Sequence, residues 1–154
     1  MKNVNTGFSK SKYLEVSELG SKYNLSFSSQ LVFGNKIIAL DGLRKILLVV
    51  ETNTELSEPC IIDLNKVSAV TVRKSYGSIN QGELKTKGIE EFLKRIDLQF
   101  QFRDDTQTLV LPFYDREIDN KRDRVNLARN AKNWQMILSK MVELKTEETT
   151  LKNT

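Results

Sequence analysis

The side chains able to do chemistry in this sequence are carboxylates, lysines and one thiol; histidine is absent. That absence removes Ser-His-Asp and Cys-His nucleophile pairs, His-containing zinc sites and the usual general base near neutral pH. Carboxylates cluster at Glu90-Glu91, at Asp104-Asp105, and at Asp115, Glu117 and Asp119. General acid–base work needs two such groups converging on a cleft with separated pKa values. Asp104-Asp105 falls instead in a turn pattern, where aspartate serves the backbone. The Asp115, Glu117, Asp119 spacing is that of alternate calcium-loop acids, but the glycine at the sixth position and the glutamate at the twelfth are missing. There is no phosphate-cradling glycine motif and no Gly-x-Ser-x-Gly elbow. A buried lysine could act as a base or Schiff-base nucleophile, and nothing marks one out. The residues predict no catalytic set, no metal and no cofactor.

What the sequence does offer is positive charge in three groups. Lys36, Arg44 and Lys45 flank two early turns. Arg73, Lys74, Lys85, Lys87, Lys94 and Arg95 surround a long glycine-bearing segment. Lys121, Arg122, Arg124, Arg129 and Lys132 mark the start of the last helix. The net charge of +4, from 24 basic and 20 acidic residues, permits an anionic partner without requiring one. A nucleic-acid binder concentrates charge more strongly and needs exposed aromatics for base stacking. Only Tyr76 and Tyr114 offer themselves, which disfavours nucleic acid. The candidate binding residues are Arg73, Lys74, Lys85 and Lys87, beside the segment Ser75–Gly88, with Lys36, Arg44 and Lys45 as a second, phosphate-holding cradle. Solvated surface with local ion pairs is the competing explanation. Cys60 sits in the apolar run Cys60–Leu64 and is expected to be a buried, inert thiol. A single cysteine gives no sign of an oxidising compartment.

These residues must be carried by a β-rich chain. With 154 residues, 39% hydrophobic and 29% charged, it suits one globular domain over 11–145, between a flexible start (1–10) and a polar tail (146–154). Ser11 to Leu19 has helical spacing at Tyr13, Val16 and Leu19, with Gly20 as the stop. Leu25 to Phe33 alternates with period two. Gly34-Asn35 and Asp41-Gly42 are turn signals separating strands at Lys36–Leu40 and Ile46–Glu51. Cys60–Leu64 and Val67–Lys74 supply two more strands, with a bend at Asn65-Lys66. Ser75 to Glu91 has no clear period, and a loop of that length is often functional; Ile89 to Leu93 within it suits a helical turn. Ile96, Leu98, Phe100 and Phe102 then alternate with polar residues. Leu109, Leu111 and Phe113 form the returning strand, where Pro112 predicts an edge or a bulge. From Arg124 to Leu144, the stripe Leu127, Ala131, Trp134, Leu138 and Met141, flanked by Ile137 and Leu144, predicts a long amphipathic helix, with Asp123 as its cap or first-turn acid. The expectation is an α+β fold: about seven antiparallel strands in a strongly bent sheet or partial barrel, closed by the C-terminal helix, as in a pleckstrin-homology-like domain. No segment has the ~20 apolar residues of a membrane span, and the polar start has no signal-peptide core.

The stretches Ile37–Gly42 before Lys45–Leu48, Ile96–Phe100, Leu111–Asp115 and Asn130–Trp134 resemble an uncharacterised bacterial family with a pleckstrin-homology-like domain, some members of which carry a membrane anchor ahead of it. The resemblance covers roughly Tyr13 to Val142. It implies a fold and a membrane-proximal location, and it transfers no activity and no site residue. The function expected from the whole sequence is a cytoplasmic, non-catalytic interaction module, monomeric or dimeric, that binds a protein or the acidic head groups of a membrane surface. A small enzyme without a recognisable motif and a weak nucleic-acid binder are the alternatives.

Overall fold

A computed structural model describes residues 16–33, 35–51, 59–104 and 107–152, the last ten of these by backbone alone. The expected flexible start, the beginning of the helix expected from Ser11, the turn residue Gly34 and most of the residues between the strands expected at Ile46–Glu51 and Cys60–Leu64 lie outside them. The chain forms two compact units, Met1–Asn65 and Lys66–Thr154.

In the first unit, residues 16–22 are helical (α1). The helix runs through Gly20, where a stop was expected. It ends at Asn24, which takes the left-handed φ of 59°. There the Leu25 N–H donates to the Gly20 carbonyl at 2.7 Å and the Asn24 N–H to the Ser21 carbonyl at 3.2 Å. This is a Schellman closure, with asparagine in the place glycine usually takes. Gly20 has a different duty: a Cβ there would lie 2.8 Å from Cε2 of Phe27.

Four strands follow as an antiparallel meander: β1 (Ser29–Phe33), β2 (Lys36–Asp41), β3 (Ile46–Glu51) and β4 (Cys60–Asp63). The ladder starts at Ser29, later than the alternation from Leu25 predicts, because the Ser26 N–H is taken by the Asp41 carboxylate at 2.9 Å. Ile37, Ala39, Leu48 and Val50 share one face of β2 and β3 and form a buried cluster with Val16, against which Leu19 and Phe27 pack. Ile38, Leu40, Leu47 and Val49, on the opposite face, are buried too. Strands covered on both sides read as continuous apolar runs, which is what Lys36–Asp41 and Ile46–Glu51 do.

In the second unit, β5 (Val67–Tyr76), β6 (Leu93–Phe102) and β7 (Thr108–Asp115) form a three-stranded antiparallel meander. Helix α2 (Arg124–Lys152) packs against all three strands. The seven expected strands are present, but they make two hydrogen-bonded sheets of four and three strands, not one bent sheet or closed barrel. A 3-10 turn at Leu64–Lys66 lies between β4 and β5, which are not paired. Pro112 meets both expectations: β7 is an edge strand, and the register steps from Ile96↔Tyr114 to Asp97↔Pro112, leaving Phe113 as an extra residue. The bulge lets the consecutive side chains of Phe113 and Tyr114 both be buried.

Along α2 the buried stripe is Leu127, Ala131, Trp134, Leu138 and then Val142. Met141 is half-buried and Ile137 is exposed, against expectation. Asn120 caps the 3-10 turn Lys121–Asp123 that leads into the helix, its Oδ1 accepting the Arg122 N–H at 3.0 Å. Asp123, expected as cap or first-turn acid, is the last residue of that turn and directly precedes Arg124. The helical backbone also continues through most of the expected polar tail, to Lys152. Among the described residues, no helix is long and apolar enough to cross a membrane.

Candidate functional site

The β2–β3 connection is the starting point, because three sequence candidates fall on its strands and ends. Asp41 closes β2 with its side chain 1% exposed. Its Oδ1 accepts the N–H groups of Leu43 (3.0 Å) and Arg44 (2.9 Å), and its Oδ2 accepts that of Ser26. Burial pushes the carboxyl pKa up. The backbone donors, Arg44 first, and the Arg44 charge outweigh it, and the net displacement is downward. The Lys45 N–H then returns to the Asp41 carbonyl at 2.8 Å, and Lys45 itself takes a φ of 62°. The left-handed position of this turn is thus held by a lysine. In that conformation the Lys45 carbonyl accepts the Leu64 N–H at 2.8 Å, which ties the turn to the end of β4.

The turn therefore fixes Arg44 with its backbone held and its side chain half exposed, 3.9 Å from Asp41 Oδ2. Lys36 lies at the other end of β2, opposite Phe33 and Glu51, with Nζ donating to Asn35 Oδ1 at 3.1 Å. Successive turns of a meander alternate ends, and five residue steps of strand separate Lys36 from Asp41 by roughly 16 Å. The structure does not bring Lys36 together with Arg44 and Lys45 as one cradle.

Beside Arg44 opens a cleft of about 470 Å³, lined by Tyr23, Leu25, Arg44, Ile46, Ile61, Asp63 and Asn65. Its origin is the short reach of α1. The helix end and Phe27 cover the Ile37, Ala39, Leu48, Val50 part of the sheet. Ile46 and Ile61 continue that face towards edge strand β4, where the chain has already turned away at Asn24. Ile61 stays 43% exposed and Tyr23 40% exposed. The rim is polar. Asp63 Oδ1 accepts both the backbone and the side-chain N–H of Asn65, at 3.0 and 2.9 Å, and Asn65 Nδ2 also reaches the Arg44 carbonyl at 3.3 Å. Lys22 Nζ lies 5.5 Å from the centre of the Tyr23 ring. Arg44 thus lines a cleft whose one acid, Asp63, is already engaged.

Cys60, expected to be buried, is exposed at the start of β4. Partial desolvation still raises its thiol pKa above the usual value. A strand of four residues at a sheet edge shows an apolar run without both faces being covered.

In the second unit, Arg73 and Lys74 are consecutive on β5, opposite Asp97 and Ile96, so they project from opposite faces of the sheet. The connection between β5 and β6 is held by local bonds. The Gly77 N–H donates to the Phe92 carbonyl at 2.8 Å, and the buried Phe92 anchors the 3-10 turn Ile89–Phe92. Glu83 Oε1 accepts the Asn80 N–H at 2.9 Å and opens a second 3-10 turn, Glu83–Lys85. Lys74 pairs with Glu90 at 3.8 Å and Lys87 with Glu83 at 4.0 Å; among the described residues Arg73 and Lys85 have no acid partner. Glu91 is held by Lys121 at 3.0 Å and Arg124 at 3.4 Å. The hydrogen bond and charge of Lys121, followed by those of Arg124, lower its pKa. Asp115 and Asp119 serve their own turn: Asp119 Oδ2 accepts the Asp115 N–H at 2.8 Å, and Asp115 Oδ1 accepts the Glu117 N–H at 3.0 Å.

Of the seven basic candidates, only Arg44 lines the cleft. Tyr23, Leu25, Ile46 and Ile61 escaped the sequence reading because each continues an apolar pattern that looks like core. No protein-family model, no curated protein and no solved structure matches the chain.

Proposed function

We propose that the chain is a non-catalytic interaction module that takes up an extended peptide segment of a partner protein in the Tyr23–Ile61 cleft. The carrying observation is the cleft itself: an apolar floor of Leu25, Ile46 and Ile61, the aromatic Tyr23 and a polar rim that carries Arg44, beside edge strand β4. An extended segment added along an edge strand makes main-chain hydrogen bonds and places alternate side chains on one face. Here an apolar side chain fits the floor and a carboxylate fits Arg44. Among the described residues, the two carboxylates with a clear displacement, Asp41 and Glu91, are both pushed towards the charged form. That direction serves capping and ion pairing and runs against the raised pKa of a general acid.

The order of seven antiparallel strands and a long C-terminal helix supports a pleckstrin-homology-like assignment for the fold, and a cytoplasmic, membrane-proximal setting goes with it. Blocked hexapeptides alternating valine with aspartate, titrated into isotope-labelled protein, should shift the amide signals of Tyr23, Leu25, Ile46 and Ile61. Ile61→Asp should abolish the shifts and Arg44→Glu should weaken binding roughly tenfold, the loss of one charge-assisted contact. Shifts confined to other residues, or none with any peptide, would remove the cleft as the binding site.

A further inference from the structure

The outward side of α2 carries a second pattern, independent of the cleft. Val125, Arg129, Lys132, Met136 and Lys140 repeat the spacing of the buried stripe Leu127, Ala131, Trp134, Leu138 and Val142, two residues earlier. Two residues are 200° of helix, so this stripe points directly away from the sheet. All five are exposed, Val125 at 60% and Met136 at 55%. From Arg124 to Val142 the helix contains no acidic residue; acids return only at Glu143. Among the described residues, Arg129, Lys132 and Lys140 have no acid partner, whereas Lys121 and Arg124 at the helix start are tied to Glu91. The stripe is thus a straight row, about 22 Å long at 1.5 Å per residue, of one sign of charge with apolar residues between.

We propose that this face of α2 lies on an anionic membrane surface, with Arg129, Lys132 and Lys140 at the head groups and Val125 and Met136 entering the interface. Basic residues interleaved with exposed apolar ones fit a surface that offers both charge and an apolar interior. A nucleic acid offers the charge alone, and the stripe has no aromatic residue for base stacking. The span is short and its apolar side chains few, so the attachment is reversible and salt-sensitive.

The test is co-sedimentation of the whole chain with vesicles of phosphatidylserine and phosphatidylcholine in equal parts, against phosphatidylcholine alone. The wild type should bind the anionic vesicles and lose binding as salt rises. The triple variant R129E/K132E/K140E should bind at least on the order of 100-fold more weakly, since each cation near an anionic surface contributes about fivefold. V125S/M136S should bind several-fold more weakly with an unchanged salt dependence. Circular dichroism should show both variants folded, because every altered side chain is exposed. Undiminished binding by the triple variant, or no binding of wild type to anionic vesicles, overturns the assignment. So does a short RNA duplex that binds as tightly as the vesicles, together with V125S/M136S behaving as wild type.

Discussion

The backbone N–H of Ser26 rests on Oδ2 of Asp41 at 2.9 Å, so the buried carboxylate that caps the β2–β3 turn also fixes the approach to β1. Asp41→Asn puts an amide where Ser26 needs an acceptor. Hydrogen bonds to a charged group contribute about 1.5–3 kcal/mol, and urea unfolding at pH 7 should show a loss of that size. The dependence on pH follows from the direction of the shift. The folded pKa lies below the ordinary aspartate value of 3.8. The stabilisation is therefore complete above about pH 4 and disappears as pH falls through the folded value. The gap between wild type and variant should narrow as pH falls from about 7 to values well below 3.8. A gap that stays constant would mean that the charge of Asp41 does not contribute.

Gly20 and Phe27 form the second tight contact. Alanine would normally gain up to about 1 kcal/mol over glycine inside a helix. Here its Cβ would lie 2.8 Å from the Phe27 ring and 3.3 Å from the Leu25 carbonyl. Overpacking costs about 1–3 kcal/mol, so Gly20→Ala should be neutral to destabilising instead of stabilising. Combined with Phe27→Leu it should cost less than the sum of the two single changes. A simple gain in stability from Gly20→Ala would show that the ring moves aside freely.

What the sequence made legible was whatever depends on neighbours along the chain. The period-two run Ile96–Phe102, the turns around β2 and the stripe Leu127–Leu138 each declare their own faces. The expectation of Pro112 at an edge or bulge needed only its missing N–H. What stayed hidden depends on partners distant in sequence. Whether Ile61 is core or cleft floor depends on how far α1 reaches, and α1 ends at Asn24. Cys60 has the same neighbours whether its strand is central or at an edge. The separation of Lys36 from Arg44 was available in principle, since alternate turns of a meander lie at opposite ends, but grouping residues by charge ignored it.

Trp134 and Ile137 mark where the buried side of α2 ends. Trp134 is 6% exposed and Ile137 39%, although both are large, apolar and one turn apart. Trp134→Ala should cost about 3–5 kcal/mol, whereas Ile137→Ala should cost under about 0.5 kcal/mol. Chemical denaturation of the two variants reads the difference directly. Equal losses would mean that the helix is rotated from the orientation described.

The basic residues around the β5–β6 connection give a final contrast. Lys74 and Lys87 are exposed, and their pairings with Glu90 and Glu83 are 3.8 and 4.0 Å long. Such pairs contribute about 0–1 kcal/mol each, so replacing Arg73, Lys74, Lys85 and Lys87 together by alanine should leave the unfolding midpoint nearly unchanged. Vesicle binding should fall by less than about fivefold per charge, because two of the four charges are already offset and Arg73 and Lys74 project from opposite faces. A stability loss above about 2 kcal/mol would give these residues a structural duty. A binding loss as large as that of the α2 charge reversal would instead move the anionic contact to the segment between β5 and β6.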